Sequence, residues 1–215
     1  MLTRPQFQLA CKLLIKEYDS SHPSMATNAL RGWLWNEHPS VSGLGYLSRS
    51  SNHVSRGKES PEAIDLNDDY IEDDEAAAPI CITSEVLVSQ QYVVYSATFQ
   101  VPCFYFNIYH SDGSPLSINE LLSSSLFRPG LTQDADTTTF ALTRRNAAFP
   151  LLSQGDHPTT GKPCWFLHPC ETDAAVEELL KESEKVGESE DAQLLQWMKI
   201  WFMVLGNVVD LAGNF

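Results

Sequence analysis

Cys170 lies in the segment of the sequence best suited to a thiol nucleophile. Residues 157–172 read His157-Pro158-Thr159-Thr160-Gly161-Lys162-Pro163-Cys164-Trp165-Phe166-Leu167-His168-Pro169-Cys170-Glu171-Thr172, an apolar strand that ends on a cysteine just before a helix start. A thiol attacks as the thiolate, and backbone N–H groups at a helix start together with a nearby imidazole favour that charged form. His168 supplies the imidazole, while the charge of Glu171 opposes it. A cysteine in such a turn can equally be a small half-buried apolar side chain. Two other chemistries draw on the same residues. Cys164, His168 and Cys170 alternate onto one face of an extended segment, with His157 as a fourth metal ligand. No Cys-x-x-Cys pair exists, however, and ligands on one short strand cannot surround a tetrahedral zinc without a distant partner. A cysteine hydrolase would pair Cys170 with His157 or His38, but nothing in the sequence fixes a base or an orienting Asn. His38, His53 and His110 read as surface residues rather than ligands.

The elements that must position Cys170 are partly legible. Thr3 and Pro5 start a helix over residues 4–18, with Phe7, Cys11, Leu14 and Tyr18 on one face. Trp33 to Ser48 reads as a strand and turn. From Ile82 to Tyr109, Val, Tyr, Phe and Thr predict two or three strands of an antiparallel meander, with Pro102 marking an edge or a bulge. Asp112-Gly113 is a turn. A short helix is expected near Ile118–Leu122, then an irregular connection over 128–150 with one further strand at Thr139–Leu142. The strand Pro163–Leu167 delivers Cys170. Thr172 or Asp173 caps a helix to about Val186, with Val176, Leu179 and Leu180 inward. A last helix over Asp191–Leu205 is apolar nearly all round. This order gives an α+β class.

Composition narrows the function classes. The 215 residues carry a net charge of −14, but residues 59–75 hold nine acids and no base, and residues 171–191 hold nine acids against Lys181 and Lys185. Outside these segments the chain is near neutral, and no clustered Lys and Arg offer a nucleic-acid surface. The acidic stretch within about 57–79 has few apolar residues and is expected to be a disordered insertion in a single domain of residues 1–215. Within it, Ile64, Leu66 and Ile71 among carboxylates could meet a basic groove. The longest apolar stretch, Ile200 to Leu205, is far short of a bilayer span. Five irregularly spaced cysteines, Cys11, Cys81, Cys103, Cys164 and Cys170, read as reduced thiols in a cytoplasmic protein.

The pattern His157-Pro158, Gly161, Pro163 and then His168-Pro169-Cys170 with Thr172 resembles the ubiquitin-like-conjugating enzymes of autophagy, of the autophagy-related protein ten type. Tyr92-Val93-Val94-Tyr95-Ser96, Phe99-Gln100-Val101-Pro102, Tyr105-Phe106, Asp112-Gly113 and Pro115-Leu116 are similar to that family's central hairpin. Trp33-Leu34-Trp35, Gly45-Tyr46-Leu47, Trp197-Met198 and Gly206-Asn207-Val208-Val209 fall in the family's order. The resemblance implies a ubiquitin-conjugating-enzyme-like fold. It further implies a transferase of the ubiquitin-like conjugation pathway that needs neither cofactor nor metal. Cys170 would receive the modifier Atg-twelve as a thioester from an Atg-seven-type activating enzyme, and a lysine of Atg-five would then attack it. The neighbouring type-three enzymes, which pass a modifier to phosphatidylethanolamine, and a non-catalytic modifier-binding module of the same fold are the alternatives. Ordinary ubiquitin-conjugating enzymes carry His-Pro-Asn several residues before their cysteine. Here no such Asn precedes Cys170, so His168 and Tyr105, ahead of Tyr95 and Asn107, are the candidates for positioning the lysine and steadying the oxyanion. Asn207, where proline is expected, and Trp201-Phe202-Met203 depart from the family pattern.

Overall fold

A computed structural model describes residues 1–20, 30–55, 85–170, 172–183 and 189–212. Its elements are α1 (Arg4–Ser20), β1 (Leu34–Asn36), β2 (Tyr46–Val54), β3 (Val86–Ser96), β4 (Val101–Tyr109), α2 (Ile118–Leu122), β5 (Ala135–Thr137), β6 (Ala141–Arg144), β7 (Leu152–Asp156), β8 (Pro163–Leu167), α3 (Thr172–Ser183) and α4 (Glu190–Leu205). All eight strands form one antiparallel sheet in the order β1-β2-β3-β4-β8-β7-β6-β5, an α+β architecture. The expected acidic insertion and Cys81 lie outside the described residues, as does Val186. Among the described residues no helix is long and apolar enough to cross a membrane.

Local sequence explains the helices. Thr3 and Gln6 form a reciprocal capping pair, Thr3 N donating to Gln6 Oε1 at 2.9 Å and Gln6 N to Thr3 Oγ1 at 3.4 Å. Ser117 and Glu120 repeat the device at α2, and the Ser189 hydroxyl accepts from Ala192 N to cap α4. In α1, Phe7, Cys11 and Leu14 are fully buried with Tyr18 packed beside them. Seven side chains of α4 are buried, including Trp197, Trp201 and Phe202, because α4 lies between α1, α3 and the core. Lys199 Nζ ties it to Glu17 of α1 at 2.8 Å.

β4 supplies the middle of the sheet. Phe104, Phe106 and Ile108 are buried in the core, while Tyr105 and Asn107 between them take the opposite face and are only half-buried. Pro102 does not mark an edge strand: β4 is interior, between β3 and β8. The proline is tolerated because β4 pairs with β8 only through Tyr105–Phe166 and Phe106–Trp165, so Pro102 lies where β4 has outrun that partner. The connection over 128–150 is also more ordered than its composition suggests. It carries β5 and all of β6, and β6 falls at 141–144 rather than 139–142. These strands are short and partly polar, and they are held by pairing with each other and with β7 rather than by any apolar alternation of their own.

His53 is not a surface residue. It is 3% exposed and belongs to a buried polar seam on β2 and β3, with Nε2 3.3 Å from Gln91 Nε2 and Nδ1 3.4 Å from Ser125 Oγ. In the same seam Arg49 Nη2 and Nε donate to Gln91 Oε1 at 2.7 and 3.1 Å, and the guanidinium stacks on Trp33. Burial lowers His53 to about 4 and Arg49 to about 10.

Candidate active site

β8 ends at Leu167, and the chain turns through His168-Pro169 before α3 begins at Thr172. Thr172 N closes that turn on Pro169 O at 3.2 Å. Cys170 is exposed, whereas Cys11, Cys103 and Cys164 are buried. Burial pushes all three of these thiols up, away from the thiolate that nucleophilic attack needs. Cys103 Sγ donates to Leu167 O at 3.1 Å, and Cys164 Sγ accepts from Asn107 Nδ2 at 3.3 Å.

His168 is built into the same turn. Its Nδ1 accepts the Cys170 N–H at 3.3 Å, which leaves the neutral ring's proton on Nε2. Phe149 stacks on the imidazole, centroids 4.9 Å apart and planes within 8°, and Phe99 makes a T-shaped contact with it at 5.1 Å. Desolvation lowers the pKa of His168, so the ring is neutral at physiological pH and orients the cysteine's backbone.

Two cavities meet at Cys170. One, of about 470 Å³, includes Arg144, Arg145, Asn146, Phe149, Trp201 and Leu205 in its lining. The other, of about 320 Å³, includes Thr98, Gln100, Asp173 and Glu177. His168 borders the first and Pro169 both. Arg144, Arg145, Asn146 and Phe149 could not be picked from the sequence, because only the β6–β7 and β7–β8 pairings bring their turn beside Cys170. Asn146, with a left-handed φ of 65°, is the one local signal in that turn.

The other sequence candidates fall elsewhere. Tyr105 is half-buried, stacked on Phe166 at 5.3 Å and beside the Cys103 thiol, and borders neither cavity. Burial raises its phenol well above the ordinary value. Tyr95 is buried with its hydroxyl donating to Leu2 O at 2.8 Å. Asn107 donates to Pro163 O at 3.0 Å, at the end of β8 remote from Cys170. His157 sits at that remote end too, 1% exposed, its Nδ1 accepting from Thr159 N and Thr160 N at 3.1 and 3.2 Å. Tyr46 and Tyr92 close on its ring at 4.7 and 4.9 Å, and burial lowers it to about 4. Cys164 is buried inside β8 and His157 lies before that strand, whereas Cys170 lies beyond the His168-Pro169 turn at its other end, so neither a His157–Cys170 dyad nor a compact zinc site forms. No group of three potential metal ligands occurs among the described residues. His38 turns its Nδ1 to the amides of Ser40 and Val41.

The sequence model of the autophagocytosis-associated protein, active-site domain family matches residues 6–213. The chain belongs to this family. It is 30% identical over 152 residues to the ubiquitin-like-conjugating enzyme ATG10 of Homo sapiens, covering 70% of this chain and 59% of that protein. To the protein of the same name from Dictyostelium discoideum it is 29% identical over 134 residues, covering 60% and 54%. To that of Arabidopsis thaliana it is 27% identical over 175 residues, covering 78% and 72%. The chain thus spans little more than half the length of the first two relatives. The active-site domain match takes in both walls of the Cys170 site, from α1 to the turn after α4.

Proposed function

We propose that this chain is a ubiquitin-like-conjugating enzyme of autophagy, a cytoplasmic single-domain protein of the ten type in which Cys170 carries the modifier as a thioester. The carrying observation is the exposure of Cys170 on a wall shared by two cavities, while the other described thiols are buried. In the first half-reaction the Cys170 thiolate attacks the activated C-terminal glycine of Atg-twelve presented by an Atg-seven-type enzyme. The activating enzyme's thiolate leaves as the new thioester forms. In the second, a neutral lysine amine of Atg-five attacks the thioester carbonyl, the C–S bond breaks, and the amine proton passes to solvent or a nearby base. The cavity of Phe149, Trp201 and Leu205 offers apolar walls to the modifier's extended tail, with Arg144 and Arg145 at its rim.

His168 enters this reading as a positioning residue through the Cys170 amide. Tyr105 enters behind it, packing the outer face of β4 and β8, since a phenol raised by burial is a poor base at neutral pH. The ATG10 name shared by the relatives favours the ten type over the type-three enzymes. Mixing the chain with activating enzyme, modifier and ATP should give an adduct cleaved by reductant. Cys170→Ser should give a reductant-resistant oxyester, and Cys170→Ala no adduct. Normal charging of Cys170→Ala would sink the reading.

A further inference from the structure

The larger cavity at Cys170 is apolar within and basic at its rim. Its volume of about 470 Å³ falls within the roughly 300–1,000 Å³ of pockets that take a ligand. Phe104, Leu167, Trp201 and Leu205 line it with buried apolar side chains, and Phe149, 54% exposed, lines it from the loop between β6 and β7. Arg144 and Arg145 border the same space and are exposed. Among the described residues neither guanidinium forms an ion pair. The thioester fixes which part of the modifier comes closest. Its terminal glycine is bound to Cys170 Sγ and has no side chain, and the preceding residue is about 3.8 Å further along the chain. That residue carries the first side chain able to enter the cavity. A glycine or alanine there would leave the apolar walls without contacts, whereas a large apolar side chain would fill them.

We propose that this cavity is a specificity pocket for the side chain directly before the modifier's terminal glycine, and that it selects a large apolar or aromatic one. The inference rests on the thioester reading above. The selected side chain packs against Trp201 and Leu205 and so holds the glycyl carbonyl at Cys170. Arg144 and Arg145 set the charge of the admitted tail: a lysine at the same position would bring a further cation to the rim, whereas an uncharged or acidic residue would not. The Cys170 thiolate attacks the glycyl carbonyl carbon, a new C–S bond forms, and the thiol that delivered the glycine leaves as its thiolate.

The test varies the residue X before the glycine by two routes. In one, modifiers ending in X-Gly are first loaded on the activating enzyme and then chased onto this chain, with transfer normalised to the amount loaded. In the other, short synthetic peptide thioesters ending in X-Gly acylate Cys170 with no activating enzyme present, followed by intact-mass spectrometry. Tryptophan and leucine at X should lower KM at least about 10-fold relative to alanine and glycine, with kcat changing far less, because the reacting carbonyl is the same. Lysine at X should do worse than aspartate. Val204 also borders the cavity, and Val204→Trp, by filling it, should cancel the preference for tryptophan over alanine. Arg145→Glu changes an exposed side chain, so it carries the test even where Val204→Trp melts early: it should reverse the order of lysine and aspartate. Charging by both routes that is indifferent to X overturns the pocket while leaving the thioester reading intact. The same holds for a tryptophan preference that survives Val204→Trp in a folded enzyme. Indifference to X joined to a Val204→Trp enzyme slowed only in discharge would hand the cavity to the acceptor and likewise overturn the assignment. Absence of any thioester on the unmodified protein by either route overturns the earlier reading instead.

Discussion

Burial raises Cys11, Cys103 and Cys164 out of the reactive range while Cys170 faces solvent. Among these four, iodoacetamide at neutral pH is expected to label Cys170 first, the others reacting only as the protein unfolds. Peptide mapping by mass spectrometry checks this, and early labelling of Cys103 would contradict the packing around β4. His168 makes a sharper case. Its contribution is an acceptor atom for the Cys170 amide, and Asn offers a side-chain oxygen at the same distance from the backbone. His168→Asn should therefore charge and discharge near the unmodified rate, whereas His168→Ala should discharge about 10-fold more slowly. Equal loss in both would point to the imidazole itself. Cys170 and His168 were legible because strand, turn and helix signals are local and contiguous. Asp173 was legible only as a helix cap, and Phe149 not at all, since their relation to the thiol arises from packing.

The helices, β3, β4 and β8 followed their own residues, α1 from Thr3 and its apolar face and β8 from the run Pro163–Leu167, whereas β2 runs on to Val54 past the strand and turn expected over Trp33–Ser48. β5 and β7 did not, because Ala135–Thr137 and Leu152–Asp156 carry too little apolar character to declare themselves without a neighbour. The buried histidines of β2 and of the turn before β8 set a pH dependence. His53 and His157 each fall from 6.5 to about 4 on folding, so the folded state resists protonation that the unfolded chain accepts. Stability is fully present above about pH 6.5 and declines as pH falls toward 4, by up to about 3 kcal/mol per histidine, then levels off for these groups. Thermal melts between pH 7.5 and 4 should show the fall, and His157→Phe should flatten part of it. The polar seam gives a second expectation. Gln91→Leu removes the acceptor facing Arg49 and should cost about 3 kcal/mol, while Arg49→Met with Gln91→Leu should cost less than that single change. Urea titrations of both variants measure the difference.

At the scale of the molecule, the α+β class was legible from element order, but the sheet was not. Joining β4 to β8 brings together strands more than fifty residues apart, and no local signal encodes that step. The β2–β3 pair has a comparable peculiarity. Its nine residue pairs, Tyr46–Val94 to Val54–Val86, close a connection running from residue 55 to residue 85, whereas β3 and β4 are joined by residues 97–100. By loop-length scaling the longer closure costs roughly 2 kcal/mol more. Replacing residues 58–78 by a short Gly-Ser linker is expected to raise the urea midpoint modestly, and a large fall would show that the segment packs. A closure this long also leaves the alignment of β2 on β3 undetermined by its turn, and a slip of two residues would keep every side chain on its proper face. What distinguishes the correct alignment is the cross-strand match of Arg49 to Gln91 and of Ser51 to Ser89: slipped by two, the guanidinium would meet Ser89 or Val93 instead. The seam therefore acts as a registration key during folding, so variants that make it wholly apolar, even when they melt no earlier, should populate misaligned hairpins, visible as doubled amide resonances along β2.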